Sequence, residues 1–364
     1  MKITGVNTYL MRIPLITPFK TALRTVDAIE DVVVELLTDE GAVGYGEAPP
    51  TAVITGDTLP SIAGAVTGFI VPKLLGRDVA DIEGNCLAVQ ASMVHNTSPK
   101  AAVEMALYDL YGKALGAPLY RLLGGAKRSL ATNLTISVDT PDKMAADAAE
   151  AVRRGFRVLK VKLGSDPSQD IARLKAVQAA CPKEMVLRAD ANQGWTPREA
   201  LRILGRMREA GIELELVEQP VKAWDVDGLR RVTAGASVPV LADESVFTEQ
   251  DAARILSTGA ADMVNIKLMK TGGLSGALRI CAIAETHRAS CMMGCMLEGN
   301  VAVTAAAHLA MAKDVIRKID LDGPALCREN PVLGGAAFDG PNITLPEKPG
   351  LGIEGVEGLV PYRV

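Results

Sequence analysis

The chain has 364 residues, 48% of them hydrophobic, enough for a large core in about two domains or one barrel with an appendage. Its 39 Lys and Arg against 43 Asp and Glu leave a net charge of −4, which argues against nucleic acid or an anionic membrane surface as a partner. No apolar run makes a membrane span, because residues 291–312 are interrupted by Glu298, Asn300, Thr304 and His308, and Thr4, Asn7 and Arg12 break any signal core, so a soluble cytoplasmic protein is expected.

Residues 1–125 read as an α+β unit. Residues 32–37, a turn at 38–41 and residues 42–47 predict a hairpin. Helical patterning follows over 58–75 and 98–115, the latter stopped by Gly116 and Pro118, and a boundary is predicted at 122–125. From 126 to 325 the rhythm changes. Short apolar runs near 132–138, 157–163, 185–190, 213–218, 238–243, 263–268, 291–297 and 316–322 alternate with helical stretches such as 142–154, 168–180, 197–210, 248–258 and 273–288. Eight such runs predict an α/β protein with a parallel sheet closed into a TIM-like barrel. A doubly wound sheet would want a Gly-rich phosphate loop after its first strand, and the sequence has none. Residues 326–364, punctuated by Gly334, Gly335, Pro341, Pro346 and Pro349, are too irregular for more barrel and are expected to return to the first domain.

Charged side chains close the strands. Lys160 and Lys162 sit in the second run, Asp190 ends the third, Glu218 the fourth, Asp243 the fifth and Lys267 the sixth. From Lys162 onward the separations are 28, 28, 25 and 24 residues, one βα unit each. That spacing places the side chains at the C-terminal rim, where barrel active sites are built. Any one of them alone reads as a helix cap, an Arg partner or a snorkelling lysine. The set does not, because three converging carboxylates repel unless a cation sits among them. All-oxygen ligation suits Mg²⁺, while six dispersed cysteines offer neither a disulfide framework nor paired zinc spacing. Period-two geometry puts Lys160 and Lys162 on one face, where, near each other and near a divalent cation, they are expected to depress each other's pKa into the range of a base. Lysines of the second and sixth strands face each other across the metal. A substrate carboxylate held there could lose its α-proton to one and regain a proton on the opposite face from the other, as in racemisation or epimerisation; dehydration or cycloisomerisation needs only one as base.

The segments K-V-K, D-A-N-Q-G-W, V-E-Q-P, A-D-E-S and N-I-K-L-M-K-T-G-G resemble the muconate-lactonising subgroup of the enolase superfamily, along essentially the whole chain. The resemblance implies a capping domain over a modified (β/α)7β barrel. It implies one Mg²⁺ per site on Asp190, Glu218 and Asp243, Lys162 and Lys267 as the acid/base pair, and Lys160 steadying the substrate carboxylate. A homo-oligomeric assembly is also expected from it.

Asp320 and Asp322 end the eighth run on one face toward the mouth, where two carboxylates beyond the metal's needs suit a substrate ammonium. By itself the pair reads equally as a helix cap or an Arg partner. This D-x-D resembles that of the dipeptide epimerases, where it holds the N-terminal ammonium, and it sets the chain apart from enzymes of muconate, succinylbenzoate or N-acylamino acids. Arg24, in the polar stretch 18–25, reads alone as a solvated surface arginine. The stretch resembles a mobile cap loop whose arginine pairs with a glutamate side chain, which points to L-Ala-L-Glu or L-Ala-D-Glu. Residues 51–56, small and apolar, would be the second loop closing over the substrate. Thr135 and Cys295 match substrate-touching places in that family, with a core role as the alternative. Glu298 stands between supporting a lysine and capping a helix, and Glu244 is expected to point away from the metal. Met292, Met293 and Met296 are expected to be packing, and no histidine is given a part. The expected function is therefore an Mg²⁺-dependent dipeptide epimerase acting on small dipeptides released from cell-wall peptides. The alternatives are an N-acylamino acid racemase or an o-succinylbenzoate-type lyase with the same metal and lysines, and a non-catalytic metal-binding scaffold.

Overall fold

Three antiparallel strands, β1 (Ile3–Lys20), β2 (Thr25–Thr38) and β3 (Val43–Ala48), open the fold in the computed structural model, which describes residues 1–164, 166 and 169–363. The predicted hairpin is β2–β3, in register from Leu37↔Val43 to Val32↔Ala48 around a left-handed Gly41. The sequence pattern hides β1, because Pro14 and Pro18 demote the run. Met11, Ile13 and Leu15 nevertheless alternate inward, and the pairing with β2 shifts register between Pro14 and Phe19.

The helical stretch predicted over 58–75 is broken into α1 (Leu59–Ala65), a π turn (Val66–Ile70) and a 3-10 turn (Val71–Lys73). Pro72 cannot supply the N–H of a continuing α-helix. Beyond the predicted elements lies α2 (Ile82–Gln90), capped by Asp81. Helix α3 (Thr97–Leu115) follows the prediction over 98–115 and ends on a left-handed Gly116. It packs on β3 through Gly44 and Gly46, where a Cβ would stand 2.2 Å from Ala106 O and 1.8 Å from Ala102 O. Helix α4 (Leu119–Leu122) and β4 (Leu130–Ala131) then lead into the barrel.

The barrel strands are β5 (Leu134–Ile136), β6 (Val158–Lys162), β7 (Val186–Asp190), β8 (Leu216–Glu218), β9 (Val240–Ala242), β10 (Met263–Ile266), β11 (Ser290–Gly294) and β12 (Ile316–Asp320). They form one parallel sheet in sequential order. Its two ends are joined by Asn133 N donating to Ile319 O (3.4 Å), Leu321 N to Thr132 Oγ1 (2.8 Å) and Thr135 N to Asp322 Oδ2 (2.6 Å). The helices between strands are α5 (Pro141–Arg153), α6 (Asp170–Ala179), α7 (Pro197–Glu209), α8 (Val226–Gly235), α9 (Glu249–Ser257), α10 (Leu268–Thr271), α11 (Leu274–Thr286) and α12 (Asn300–Ala312). Thr140, Thr196, Asp225 and Thr248 start four of them as side-chain N-caps, the turn chemistry that ends βα loops. The start predicted for α6 at residue 168 lies outside the described residues. Among the described residues no α-helix follows β12, so the architecture is a (β/α)7β barrel under an α+β cap.

The C-terminal stretch is more regular than its Gly and Pro content suggests. It holds β13 (Val332–Gly334), β14 (Ala337–Asp339), β15 (Asn342–Thr344), β16 (Ile353–Val356) and β17 (Val360–Pro361), of which β15 pairs with β4 and β17 with β1. Buried polar groups lock cap to barrel. Glu104 of α3 accepts Ser275 N (2.9 Å) and Ser275 Oγ (2.7 Å) at the start of α11, and Asp109 accepts Leu351 N (2.8 Å). His308 Nδ1 accepts Tyr120 N (3.0 Å), with the two rings stacked 5.7 Å apart. Among the described residues no helix is long and apolar enough to cross a membrane.

Candidate active site

The charged residues singled out in the sequence meet at one end of the barrel. Lys160 and Lys162 lie on β6, Asp190 and Glu218 are the last residues of β7 and β8, and Asp243 and Lys267 directly follow β9 and β10. Asp320 ends β12 and Asp322 lies two residues on. Parallel register sets Lys162 beside Asp190, and Asp190 beside Glu218. None of the eight is more than 6% exposed.

Their charges interleave. Lys160 Nζ stands 2.7 Å from Asp320 Oδ2, 2.8 Å from Glu218 Oε2 and 3.1 Å from Asp190 Oδ2. Lys162 Nζ donates to Asp190 Oδ2 (2.7 Å) and Lys267 Nζ to Asp243 Oδ2 (2.7 Å). A further lysine, Lys270, is wholly buried with Nζ 2.7 Å from Asp243 Oδ1. Among the described residues no three ligand-type side chains are drawn together as a metal ion would hold them; ammonium groups stand between the carboxylates.

Burial works against the charge of Lys160, but Asp320, Glu218 and Asp190 outweigh burial and raise its pKa well above the ordinary value. Lys267 is raised too, chiefly because Asp243 overcomes its burial. The carboxylates divide. Asp320 is held down to about 2, where Lys160 overcomes burial. Burial and then the neighbouring acids push Glu218 up to about 8 and Glu244 up to about 7. Six buried carboxylates (Asp190, Glu218, Asp243, Glu244, Asp320, Asp322) thus share four buried ammonium groups (Lys160, Lys162, Lys267, Lys270). Fully ionised, these groups would leave an excess of two negative charges, the charge of one divalent cation. Among the described residues buried Glu244 Oε2 and Asn192 Oδ1 also have no hydrogen-bond partner. The donor set and the charge deficit both fit a hard, oxygen-seeking ion.

Above this network lies a partly enclosed chamber. Lys160, Lys162, Lys267, Asp320 and Asp322 form its floor together with Thr135 and Cys295, while Arg24, Phe19, Val53 and Ile54 reach in from the cap. Arg24 is therefore no freely solvated arginine. It sits in the β1–β2 turn, where Thr21 Oγ1 accepts Leu23 N (3.1 Å) and Arg24 N (3.2 Å), and it is half-buried against the chamber.

Residues 143–358 match the family "Enolase C-terminal domain-like", and residues 4–124 match "Mandelate racemase / muconate lactonizing enzyme, N-terminal domain". The chain belongs to the enolase superfamily. Within it, the chain is 52% identical to the L-Ala-D/L-Glu epimerase of Clostridium acetobutylicum, over 95% of this chain and 97% of that protein. A substrate-liganded structure of the L-Ala-D/L-Glu epimerase of Bacillus subtilis superposes with a TM-score of 0.96 at 47% identity, covering 98% of this chain and 99% of that one. A dipeptide epimerase of Enterococcus faecalis, complexed with Mg and L-Leu-L-Tyr, superposes at 0.94 and 40% identity, covering 98% and 100%.

Other features of the site escape a reading of isolated residues. Lys270 lies one helical turn after Lys267, so its apolar neighbours mark it as inward-facing. Asn265 Nδ2 donates to Glu218 Oε1 (2.9 Å), and Gln219 Oε1 accepts Asp243 N (2.9 Å) and Ser245 N (3.2 Å), fixing the ends of β8 and β9 to each other. Glu244 does not turn away. β9 stops at Ala242, so strand alternation no longer applies, and Glu244 Oε1 accepts Asn192 Nδ2 (3.3 Å) inside the barrel mouth. Met296 lines the chamber, whereas Met292 packs in the barrel interior with Leu216, Leu241 and Met263.

Proposed function

We propose that this protein is an Mg²⁺-dependent dipeptide epimerase that inverts the α-carbon of the C-terminal residue, with L-Ala-L-Glu and L-Ala-D-Glu as its substrates. The observation that carries the reading is the floor of the chamber. It joins two lysines from opposite barrel strands, Lys162 and Lys267, to an Asp320/Asp322 pair in excess of what a metal needs. The likeness to epimerases of the same length supports it.

Asp190, Glu218 and Asp243 would hold the Mg²⁺. Bound there, it would offset the charge that builds on the substrate carboxylate and take over the carboxylate charge that otherwise keeps the lysines protonated. Lys162 and Lys267 lie on opposite sides of the substrate α-carbon. One takes the α-proton and the other delivers a proton to the opposite face, so the pair returns to its starting charge after a turnover in each direction. Lys160, already among Asp190, Glu218 and Asp320, steadies the substrate carboxylate. Asp320 and Asp322 receive the substrate ammonium, Thr135 and Cys295 border its backbone, and Arg24 meets the glutamate side chain from the cap.

Proton NMR of L-Ala-L-Glu with enzyme and Mg²⁺ in D₂O tests the reading. The glutamate α-proton signal should vanish as the L,D diastereomer appears. Exchange in other dipeptides but not Ala-Glu would discard the role of Arg24, and no exchange in any dipeptide would overturn the role of Asp320 and Asp322.

A further inference from the structure

Three carboxyl side chains outside the chamber floor meet where the cap lands on the barrel: Asp31 of β2, Glu47 of β3 and Glu298 just before α12. They are 1%, 0% and 3% exposed. Glu47 reaches across the interface to the start of α12, where Oε1 accepts Gly299 N (2.6 Å) and Oε2 accepts Ala302 N (2.9 Å). The approach leaves no room for a side chain at position 299, since a Cβ there would lie 2.6 Å from both Glu47 Oε1 and Met11 Cε. Glu298 folds back so that its Oε1 accepts Met296 N (2.5 Å), which fixes the segment 295–297 that walls the chamber.

Among the described residues Asp31 Oδ2 has no hydrogen-bond partner, and Asp31 faces both the Glu47 carboxyl and the Gly299 backbone. Two facing buried carboxyls, with an oxygen left without a partner, are satisfied by a proton held between them. The surroundings agree. Burial, then Glu47, pushes Asp31 well above the usual carboxylate range, and burial, then Glu47, pushes Glu298 up to about 8. The other titratable or charged groups facing the trio are Arg24 toward Asp31, Lys267 toward Glu298, and the thiols of Cys295 and Cys327.

We propose that Asp31, Glu47 and Glu298 form a proton-holding clamp that seats the cap on the barrel and positions the chamber wall at residues 295–297. Loss of that proton in alkali leaves buried carboxylates facing one another and unseats the cap. All three are positioning residues: they act through the α12 amides and the wall, not on substrate. The clamp rests on cap–barrel contacts rather than on the identity of the substrate, so it can fail while the epimerase reading stands, and the reverse.

The test needs no substrate at first. Hydrogen exchange on the full chain, corrected for intrinsic rate, is followed from about pH 6 to about pH 10 alongside the infrared band of protonated carboxyl groups. Protection of the Gly299 and Ala302 amides should fall roughly tenfold per pH unit above the transition, while the Leu187 amide of β7 stays protected. The carboxyl band should fade over the same range. Asp31→Asn, whose amide donates permanently to Glu47, should keep both amides protected at alkaline pH. With dipeptide present, wild-type KM should rise in alkali with kcat little changed, and Asp31→Asn should remove that rise. Unchanged protection to about pH 10 in the wild type, or an Asp31→Asn protein that titrates like it, would overturn the clamp. Should Asp31→Asn not fold, the wild-type exchange and infrared titrations stand on their own.

Discussion

Replacing Asp320 by Asn separates recognition of a free ammonium from the rest of the machinery. In the structure Asp320 Oδ2 faces Lys160 Nζ at 2.7 Å, and Oδ1 accepts Asn133 Nδ2 at 2.7 Å, so the carboxylate is oriented from both sides before any substrate arrives. Asn keeps the shape and loses the charge. Lys160 retains Glu218 and Asp190, at 2.8 and 3.1 Å, so the floor does not lose its other counter-ions. For the substrate, removing one buried partner of an ion pair costs about 3–4 kcal/mol, or roughly 10²- to 10³-fold in kcat/KM. The fall should not be larger, because Asp322 stays; burial and then Asp320 raise Asp322 to about 6, and without Asp320 it ionises more readily. The assay compares L-Ala-L-Glu with N-acetyl-glutamate, followed by α-proton exchange, with melting temperature as the control. Dipeptide turnover should collapse while any acylated turnover barely moves. An equal loss on both substrates, or none on the dipeptide, refutes the ammonium role and favours an N-acylamino acid racemase.

Two further outcomes follow from the geometry. Arg24→Gln should raise KM for L-Ala-L-Glu by roughly 10- to 10²-fold, the worth of a charge-assisted hydrogen bond, and leave a hydrophobic dipeptide unaffected; steady-state kinetics on both substrates decide it. His308 is buried between Tyr120 N and Leu351 O, and burial lowers its pKa to about 4. The unfolded chain therefore binds an extra proton at this site below about pH 6.5, and stability is lost as pH falls from there toward about 4. The loss reaches about 3 kcal/mol, and His308→Gln should flatten that part of the pH dependence in urea unfolding.

The barrel was legible because its signal repeats. A charged residue at each strand end recurs at the spacing of a βα unit, so Asp190, Glu218, Asp243 and Lys267 identify one another without any contact being known. Asp320 was legible by period-two geometry, whereas Asp322 lies beyond the end of β12 and reaches the same chamber from the turn that follows. The cap offered no such period. β1 hides behind Pro14 and Pro18, and the stretch 58–75 passes from α1 through a π turn to a 3-10 turn, so the sequence reads there as loop or as one long helix. Nor could the surroundings of Lys160 be judged from two ammonium groups on one strand. Asp320, from the far end of the sheet, closes against Lys160 only because β12 and β5 meet, and its carboxylate then faces the Lys160 charge. Glu244 failed for a local reason: the strand that would have alternated it outward ends two residues earlier.

Buried carboxylates do two kinds of work in this fold, told apart by what neutralises them. Those on the strand ends are met by ammonium groups, with Lys160 shared among three of them and Asp243 holding two lysines. Such pairs exchange partners without breaking the backbone, so a divalent cation or a substrate ammonium can enter by displacing a lysine. Two on the cap are met by main-chain amides: Glu104 at the start of α11 and Glu47 at the start of α12. An amide at a helix start cannot move without moving the helix, and its partial positive charge suits a carboxylate. The first arrangement suits a site that must rearrange its charges in every catalytic cycle. The second suits a joint that must hold the cap loops over the chamber while those charges move.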